Sequence, residues 1–277
     1  MLTQIRTLRW WIWGLVCICN IQYGSAQELL VNVYGRQYTL LNGKWNAIID
    51  PYQQGRKTAI YRNRALKDKA DFKEYAFEGG LRLNVPSDWN SQIPELKYYE
   101  GTMWYARKFE INKKSDENLF LYFGAVNYRC RVYLNGTLIG SHEGGFTPFQ
   151  FNVTNVVKEG GNFLAVEVDN TRTADAIPAL SFDWWNYGGI TRDVMLVHTP
   201  KNYIRDYFIQ LDKYDSDRVH AEVQLSAQNA GQLVKIEIPE LKIANKVFTD
   251  GTGLAKATFR VRNLERWSPQ APKLYQV

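Results

Sequence analysis

The stretch Val132-Tyr133-Leu134-Asn135-Gly136-Thr137-Leu138-Ile139 decides the fold class of this 277-residue chain. Two apolar runs flank an Asn-Gly pair, the dipeptide that best accepts the positive φ angles which a two-residue hairpin turn needs at both central positions. The sequence therefore predicts a tight β-hairpin here. Asn135-Gly136-Thr137 also has the form of a glycosylation sequon, but the turn explains these residues better.

Strand-like segments surround this hairpin, and turn residues separate them. Residues 104–111 are rich in aromatic side chains and partly alternate with polar ones, which is typical of a half-buried strand. One polar stretch, residues 63–75, looks helical and is predicted to be a surface excursion. Because no long amphipathic helix occurs, the chain is predicted to be all-β. Further strands are predicted at residues 29–33, 119–124, 129–134 and 163–168.

A second, smaller β-sandwich is predicted after His198-Thr199-Pro200, where the chain becomes less aromatic and the strand-like runs more evenly spaced. Its strands are predicted at residues 203–211, 219–227, 234–239 and 258–261. The last residues, Leu274-Tyr275-Gln276-Val277, look like the beginning of another strand. A sandwich without its final strand leaves an open edge, so we expect this domain to be incomplete in the chain.

The N-terminus has the pattern of a secretory signal peptide. Arg6 and Arg9 precede an apolar stretch at residues 10–18, and Gly24-Ser25-Ala26 supplies the small residues of a cleavage site after Ala26. The apolar run is too short for a bilayer span. We therefore expect a leader at residues 1–26 and export to the periplasm or beyond. Retention of the segment, or a lipid anchor on Cys17, is the alternative, although Val16 is large for that motif.

The composition of the chain limits the classes of function that it can have. Aromatic residues make up 14% of the chain, with 9 Trp and 17 Tyr; they favour strands and also supply flat faces on which sugar rings stack. The formal charge of +6 is spread without a basic stripe, so nucleic-acid binding is not indicated. With 3 His and no metal-ligand spacing, no cofactor is predicted. Cys130, the one cysteine after the leader, is expected to be buried in a strand.

Six segments, in order and over residues 41–275, resemble the N-terminal region of glycoside hydrolase family 2, which includes β-glucuronidases, β-galactosidases and β-mannosidases. The most specific is Asp183-Trp184-Trp185-Asn186-Tyr187-Gly188-Gly189-Ile190-Thr191-Arg192-Asp193-Val194, in the form that β-glucuronidases show most closely. The others are Leu41-Asn42-Gly43-Lys44-Trp45, Val85-Pro86-Ser87-Asp88-Trp89-Asn90, Gly101-Thr102-Met103-Trp104-Tyr105-Ala106-Arg107, His142-Glu143-Gly144-Gly145-Phe146-Thr147-Pro148-Phe149 and Trp267-Ser268-Pro269-Gln270-Ala271-Pro272-Lys273-Leu274-Tyr275.

The resemblance implies a jelly-roll (galactose-binding-like) β-sandwich at residues 27–199, an incomplete immunoglobulin-like β-sandwich at 200–277, and then a catalytic (β/α)₈ barrel. Such a barrel needs about 250 residues of alternating strands and helices, and none fits in this chain. In the family two barrel glutamates, about 5–5.5 Å apart, cleave the bond with retention. No residue here matches them, so no catalytic residue is assigned, and the barrel is expected in cis or in trans.

The resemblance also assigns candidate sugar contacts. Family members place an aspartate at the position of Asp183, where it reaches into the barrel's active site and contacts the sugar; a loop-capping Asp is the alternative. Trp184 and Trp185 could stack on sugar, although core packing is the commoner use of such residues. Glu100 lies where some relatives place a polar sugar contact, but its residue type differs from the galactosidase pattern.

Three hypotheses about function follow from these patterns. The first is the non-catalytic part of an exported glycosidase acting on a terminal β-linked sugar, with a glucuronide favoured over a galactoside. The second is a stand-alone carbohydrate-binding module, which would bind sugar by itself. The third is a structural piece that buries an apolar interface. Self-association into a homo-oligomer is compatible with all three hypotheses.

Overall fold

The computed structural model describes residues 29–63, 76–215, 217–262 and 264–277. The expected leader and nearly all of the expected helical stretch at residues 63–75 lie outside these ranges. Short 3-10 turns occur at Val33–Gly35, Ile60–Arg62, Pro94–Leu96 and Pro239–Leu241. The strands of the described residues are β1 (Tyr38–Leu40), β2 (Gly43–Ile49), β3 (Leu81–Val85), β4 (Ser87–Asp88), β5 (Thr102–Ile111), β6 (Glu117–Phe123), β7 (Val126–Asn127), β8 (Arg129–Leu134), β9 (Thr137–Glu143), β10 (Phe149–Asn152), β11 (Gly160–Asp169), β12 (Gly189–Ile190), β13 (Val194–Pro200), β14 (Ile204–Leu211), β15 (Arg218–Leu225), β16 (Leu233–Ile238), β17 (Ile243–Phe248) and β18 (Leu254–Arg260).

The prediction of an all-β chain is confirmed. Two antiparallel sheets form the first unit: a six-stranded sheet in the order β3-β2-β5-β11-β8-β9 and a four-stranded sheet in the order β1-β13-β6-β10. Side chains from both sheets meet in one apolar core, which is the arrangement of a β-sandwich. A small three-stranded sheet, β4-β12-β7, lies beside them.

The predicted hairpin is confirmed, and its asparagine does more than turn the chain. Asn135 and Gly136 have φ angles of 52° and 82°, and they join β8 to β9. The Asn135 side chain also donates to Asn162 Oδ1 at 2.8 Å and accepts from the Phe163 backbone N–H at 3.0 Å. The turn is therefore bonded to the start of β11 as well as being locally favoured.

Apolar clusters cover both faces of the six-stranded sheet. Trp45, Trp89 and Tyr105 are fully buried between the two sheets. Trp104 points to the opposite face, where it packs with Ile60 and other residues in a second buried cluster. Burial on both faces explains why β5 begins with five consecutive buried residues instead of a strict alternation.

The second unit contains a three-stranded sheet, β14-β15-β18, and a two-stranded sheet, β16-β17. Its core is a small apolar cluster that includes Val223, Val234 and Ile236. All four predicted strands are present, and β17 was not predicted. Among the described residues, no helix has the length and hydropathy of a bilayer span.

Two strand predictions are wrong. Residues 29–33 form an irregular segment whose Leu30 and Val33 are buried against the four-stranded sheet. Residues 274–277 form no strand, and Leu274 and Val277 are exposed. Cys130 lies buried in β8 as expected.

Candidate functional site

The loop of residues 171–188 carries most of the candidate sugar contacts and connects β11 to β12. β12 is only two residues long, but Gly189 pairs with Asp88 of β4 on one side and with Asn127 of β7 on the other. The end of the loop is thus built into a sheet, which fixes its position relative to the sandwich.

Buried asparagines hold both ends of this loop. Asn170 and Asn186 are 0% and 2% exposed, and each side-chain amide donates to the backbone carbonyl of the other. Asn127 donates to Asn186 Oδ1 at 2.9 Å. The Gly188 N–H donates to Asn90 Oδ1, also at 2.9 Å. Because buried amides are stable only when their hydrogen bonds are made, this asparagine network makes the loop ends a fixed part of the core.

Two positions of the loop's end accept only glycine. A Cβ on Gly188 would collide with the Trp89 ring, and a Cβ on Gly189 would lie 2.6 Å from the Ser87 carbonyl oxygen. Gly189 also has a φ of 146°, in the region that favours glycine. The close approach of the loop to the buried Trp89 therefore depends on both glycines.

Asp183 lies on the exposed part of the loop. It makes no hydrogen bond or ion pair with any residue that the structure describes, so the alternative of a capping aspartate is not supported there. Trp184 is 50% exposed, and its ring contacts Phe182 at a centroid distance of 4.2 Å. A solvent-facing carboxylate and an exposed indole thus lie side by side at the surface.

Trp185 and Glu100 come together around Arg172. The Arg172 guanidinium forms an ion pair with Glu100, with Nη2 2.8 Å from Oε1, and lies 5.9 Å from the centre of the Trp185 ring. Trp185 also contacts Tyr98 edge to face at 5.3 Å. No local pattern in the sequence points to Arg172 or Tyr98, because their importance depends on a contact between segments far apart in the chain.

The groups at this surface are of the kinds that can recognise a sugar. A carboxylate accepts hydrogen bonds from hydroxyl groups, and indole faces pack on the C–H faces of sugar rings. Within the described ranges no cluster of three or more His, Cys, Asp or Glu residues could hold a metal ion. Whether Asp183, Trp184, Trp185 and Glu100 contact a sugar stays a prediction.

Comparison with the profiles of known families identifies the family of this chain. Residues 39–200 match the profile described as "Glycosyl hydrolases family 2, sugar binding domain". Residues 202–277 match the profile "Glycosyl hydrolases family 2". The chain belongs to glycoside hydrolase family 2. The family 2 segments identified from the sequence are therefore real homology, and the two matched regions meet between β13 and β14.

The proteins that this chain is similar to include β-glucuronidases and a β-galactosidase. A putative β-glucuronidase of Formosa agariphila is 29% identical over 70% of this chain and 25% of its own length. The β-glucuronidase of Rattus norvegicus is 26% identical over 95% of this chain and 44% of its own length. A β-galactosidase of Thermoanaerobacter pseudethanolicus is 30% identical over 79% of this chain and 31% of its own length.

Solved β-glucuronidase structures share the fold. A β-glucuronidase of an uncultured Clostridium species has a TM-score of 0.71 and 31% identity over 87% of this chain and 42% of that one. A β-glucuronidase of Bifidobacterium dentium, solved with coumarin-3-O-glucuronide, has a TM-score of 0.71 at 24% identity. The chain spans less than half the length of these relatives.

Proposed function

We propose that this chain is the sugar-contacting, non-catalytic part of an exported family 2 glycoside hydrolase that cleaves terminal β-glucuronides. The catalytic (β/α)₈ barrel lies outside this sequence and is joined in cis or supplied in trans. The observation that carries the proposal is the position of Asp183, which is exposed and has no partner among the described residues, on a loop whose end is fixed in the core.

A fixed loop suits a residue that must reach into a site built by another domain. A contact that is held in place before binding loses less conformational entropy when the ligand arrives. The asparagine network and the paired β12 hold the loop's end in this way, while Asp183 keeps its carboxylate free for sugar hydroxyl groups. Trp184, half exposed beside it, offers an apolar surface for the ring.

The names of the relatives favour a glucuronide over a galactoside. Two of the three relatives described above are named β-glucuronidases, and so is the solved structure at 31% identity. The residues that would select the sugar carboxylate belong to the barrel in the family that this chain resembles. The choice of sugar therefore has to be tested on the protein with its barrel.

The test compares hydrolysis of a chromogenic β-glucuronide and a chromogenic β-galactoside by the 277-residue chain alone and by the protein with its barrel. We expect no turnover by the chain alone and faster turnover of the glucuronide by the complete protein. Asp183→Asn in the complete protein should lower kcat/KM roughly 10- to 100-fold, the loss expected for one charge-assisted hydrogen bond.

Asp116→Asn serves as the matched control, because Asp116 is also exposed but lies between β5 and β6, away from the loop. It should leave kcat/KM unchanged. Robust turnover by the chain alone would overturn the non-catalytic assignment, and equal kcat/KM in the two variants would overturn the role of Asp183.

Export predicts that the mature protein recovered outside the cytoplasm begins at Gln27, which N-terminal sequencing measures.

A further inference from the structure

A cavity lies on the outer face of the six-stranded sheet, where β9, β8 and β11 run side by side. Its volume is about 360 Å³, and no residue of the loop that carries Asp183 lines it. The charged residues that line it are Arg56, Arg129, Arg131, Glu143, Glu167 and Asp169. Along β8 and β11 these side chains alternate with core residues such as Val132 and Val166, so this β8–β11 cavity faces away from the core.

Glu167 is the buried member of this lining, with its side chain 5% exposed. Its Oε1 lies 3.1 Å from Arg56 Nε and 3.5 Å from Arg131 Nη1, so the same carboxylate oxygen forms both ion pairs. Its Oε2 is buried and has no hydrogen-bond partner among the described residues. Burial raises the pKa of Glu167, and the two arginines oppose this. A buried oxygen without a donor is costly, and a ligand hydroxyl would satisfy it.

The charges of the cavity balance and argue against an ionic ligand. Three guanidinium groups face three carboxylates. Arg56 and Arg131 pair with Glu167, while Arg129 Nη2 lies 3.2 Å from Glu143 Oε1 and also donates to Thr173 Oγ1. Neither sign is in excess, so neither a phosphate-like anion nor a cation finds an uncompensated partner.

The cavity's remaining hydrogen-bonding groups include both donors and acceptors. Arg131, whose side chain is 44% exposed, keeps N–H donors beyond its contact with Glu167. Acceptors remain on Glu167 Oε2 and on Asp169, whose Oδ1 accepts from the Thr171 N–H. Since each sugar hydroxyl group both donates and accepts, a surface that offers donors beside acceptors matches a saccharide.

We propose that the β8–β11 cavity is a second saccharide site, which takes one or two rings of a neutral glycan and has no lining residue from the loop that carries Asp183. Its volume is at the small end of the range for small-molecule sites. Half-exposed Arg56 turns away from Glu167, and a hydroxyl group of the sugar ring then donates to Glu167 Oε2. Arg131 donates to the neighbouring hydroxyl oxygen of the sugar.

The experiment is a titration of the 277-residue chain with cellobiose, a neutral disaccharide, followed by amide chemical shifts in NMR spectra. We expect saturable shifts at Arg131, Ser141 and Asp169, with a Kd in the millimolar range. Ser141→Trp fills the cavity from an exposed lining position and should weaken binding at least tenfold. Glu167→Gln should do the same, with the thermal midpoint recorded for both variants to confirm folding.

Asp183→Asn separates this site from the one proposed above, because it should leave the cellobiose shifts unchanged whatever its effect on turnover. The proposal is overturned if cellobiose causes no saturable shifts, if the shifts are confined to residues 182–187, or if folded Ser141→Trp binds as the unmodified chain does. Binding of glucuronic acid without binding of cellobiose would also overturn it, because the cavity would then prefer an anion.

Discussion

Arg172 faces Glu100 at two points: Nη2 lies 2.8 Å from Oε1, and Nε donates a hydrogen bond to Oε2 over 3.2 Å. The pair connects the segment before β5 to the loop after β11, and the same guanidinium lies over the Trp185 ring. Glu100 therefore has a structural role that the sequence did not indicate: it holds Arg172, and Arg172 holds Trp185.

Glu100→Gln should remove the charge of this pair while keeping its shape. The two side chains are 22% and 23% exposed, so solvent screens the pair only in part, and we expect a loss of about 1 kcal/mol in the free energy of unfolding. Urea unfolding followed by tryptophan fluorescence measures it. Glu237→Gln, which breaks the more exposed Lys235–Glu237 pair, should change the free energy of unfolding by less than about 0.5 kcal/mol. Equal effects of the two substitutions would contradict the role of Arg172.

Asn186→Ala should destabilise the sandwich by about 2–3 kcal/mol, because it leaves the Asn170 carbonyl and part of the Asn127 amide buried without partners. Equilibrium urea unfolding is the measurement. The exposed Asn155 offers a matched control, and Asn155→Ala should stay within about 0.5 kcal/mol of the original chain. A loss for Asn186→Ala as small as that of the control would show that the asparagine network does not hold the loop.

Asp212 should titrate with a pKa of about 2, since His220 Nε2 lies 2.6 Å from its Oδ2 and the Tyr214 and Asp215 backbone N–H groups also bond to it. A lowered pKa means that this carboxylate favours the folded state above its ordinary value of 3.8, and that the contribution disappears as the pH falls toward 2. Carboxyl NMR titration measures it. In His220→Phe the pKa should move toward 3.8; an unchanged pKa would show that the backbone contacts alone are responsible.

Cys130 should be unreactive in the folded protein, because burial raises the pKa of its thiol to about 12 and the thiolate is the reactive form. A variant carrying Cys17→Ser and Cys19→Ser isolates this thiol. Its reaction with a chromogenic aromatic disulfide at pH 8 should be negligible in buffer and fast in concentrated urea. Rapid labelling in buffer would mean that β8 opens without global unfolding.

Several features of the fold were predictable because local chemistry decides them. Asn135-Gly136 can adopt the positive φ angles of a hairpin turn, and this holds whatever surrounds it. The family 2 segments likewise identified the loop that carries Asp183, since their residues follow one another in the chain. The sequence therefore predicted the elements and the loop, but not what holds the loop in place.

The errors have a common physical cause, which is that burial and hydrogen bonding can be satisfied without a regular element. Residues 29–33 are apolar because Leu30 and Val33 cover the four-stranded sheet, and an irregular segment does this as well as a strand. β17 escaped prediction because half of its residues are exposed and its polar Asn245 and Lys246 interrupt the apolar pattern. The Glu100–Arg172 pair joins residues 72 positions apart, a contact that no local pattern contains.

The asparagine network has a consequence for heat inactivation. The two ends of the loop are bonded to each other through Asn170 and Asn186 and to the sandwich through Asn127 and Asn90. Loss of the proposed sugar contact on heating should then follow the same curve as loss of the sandwich itself. For the proposed contact through Asp183, we therefore expect sugar recognition to persist over the same temperature range as the fold.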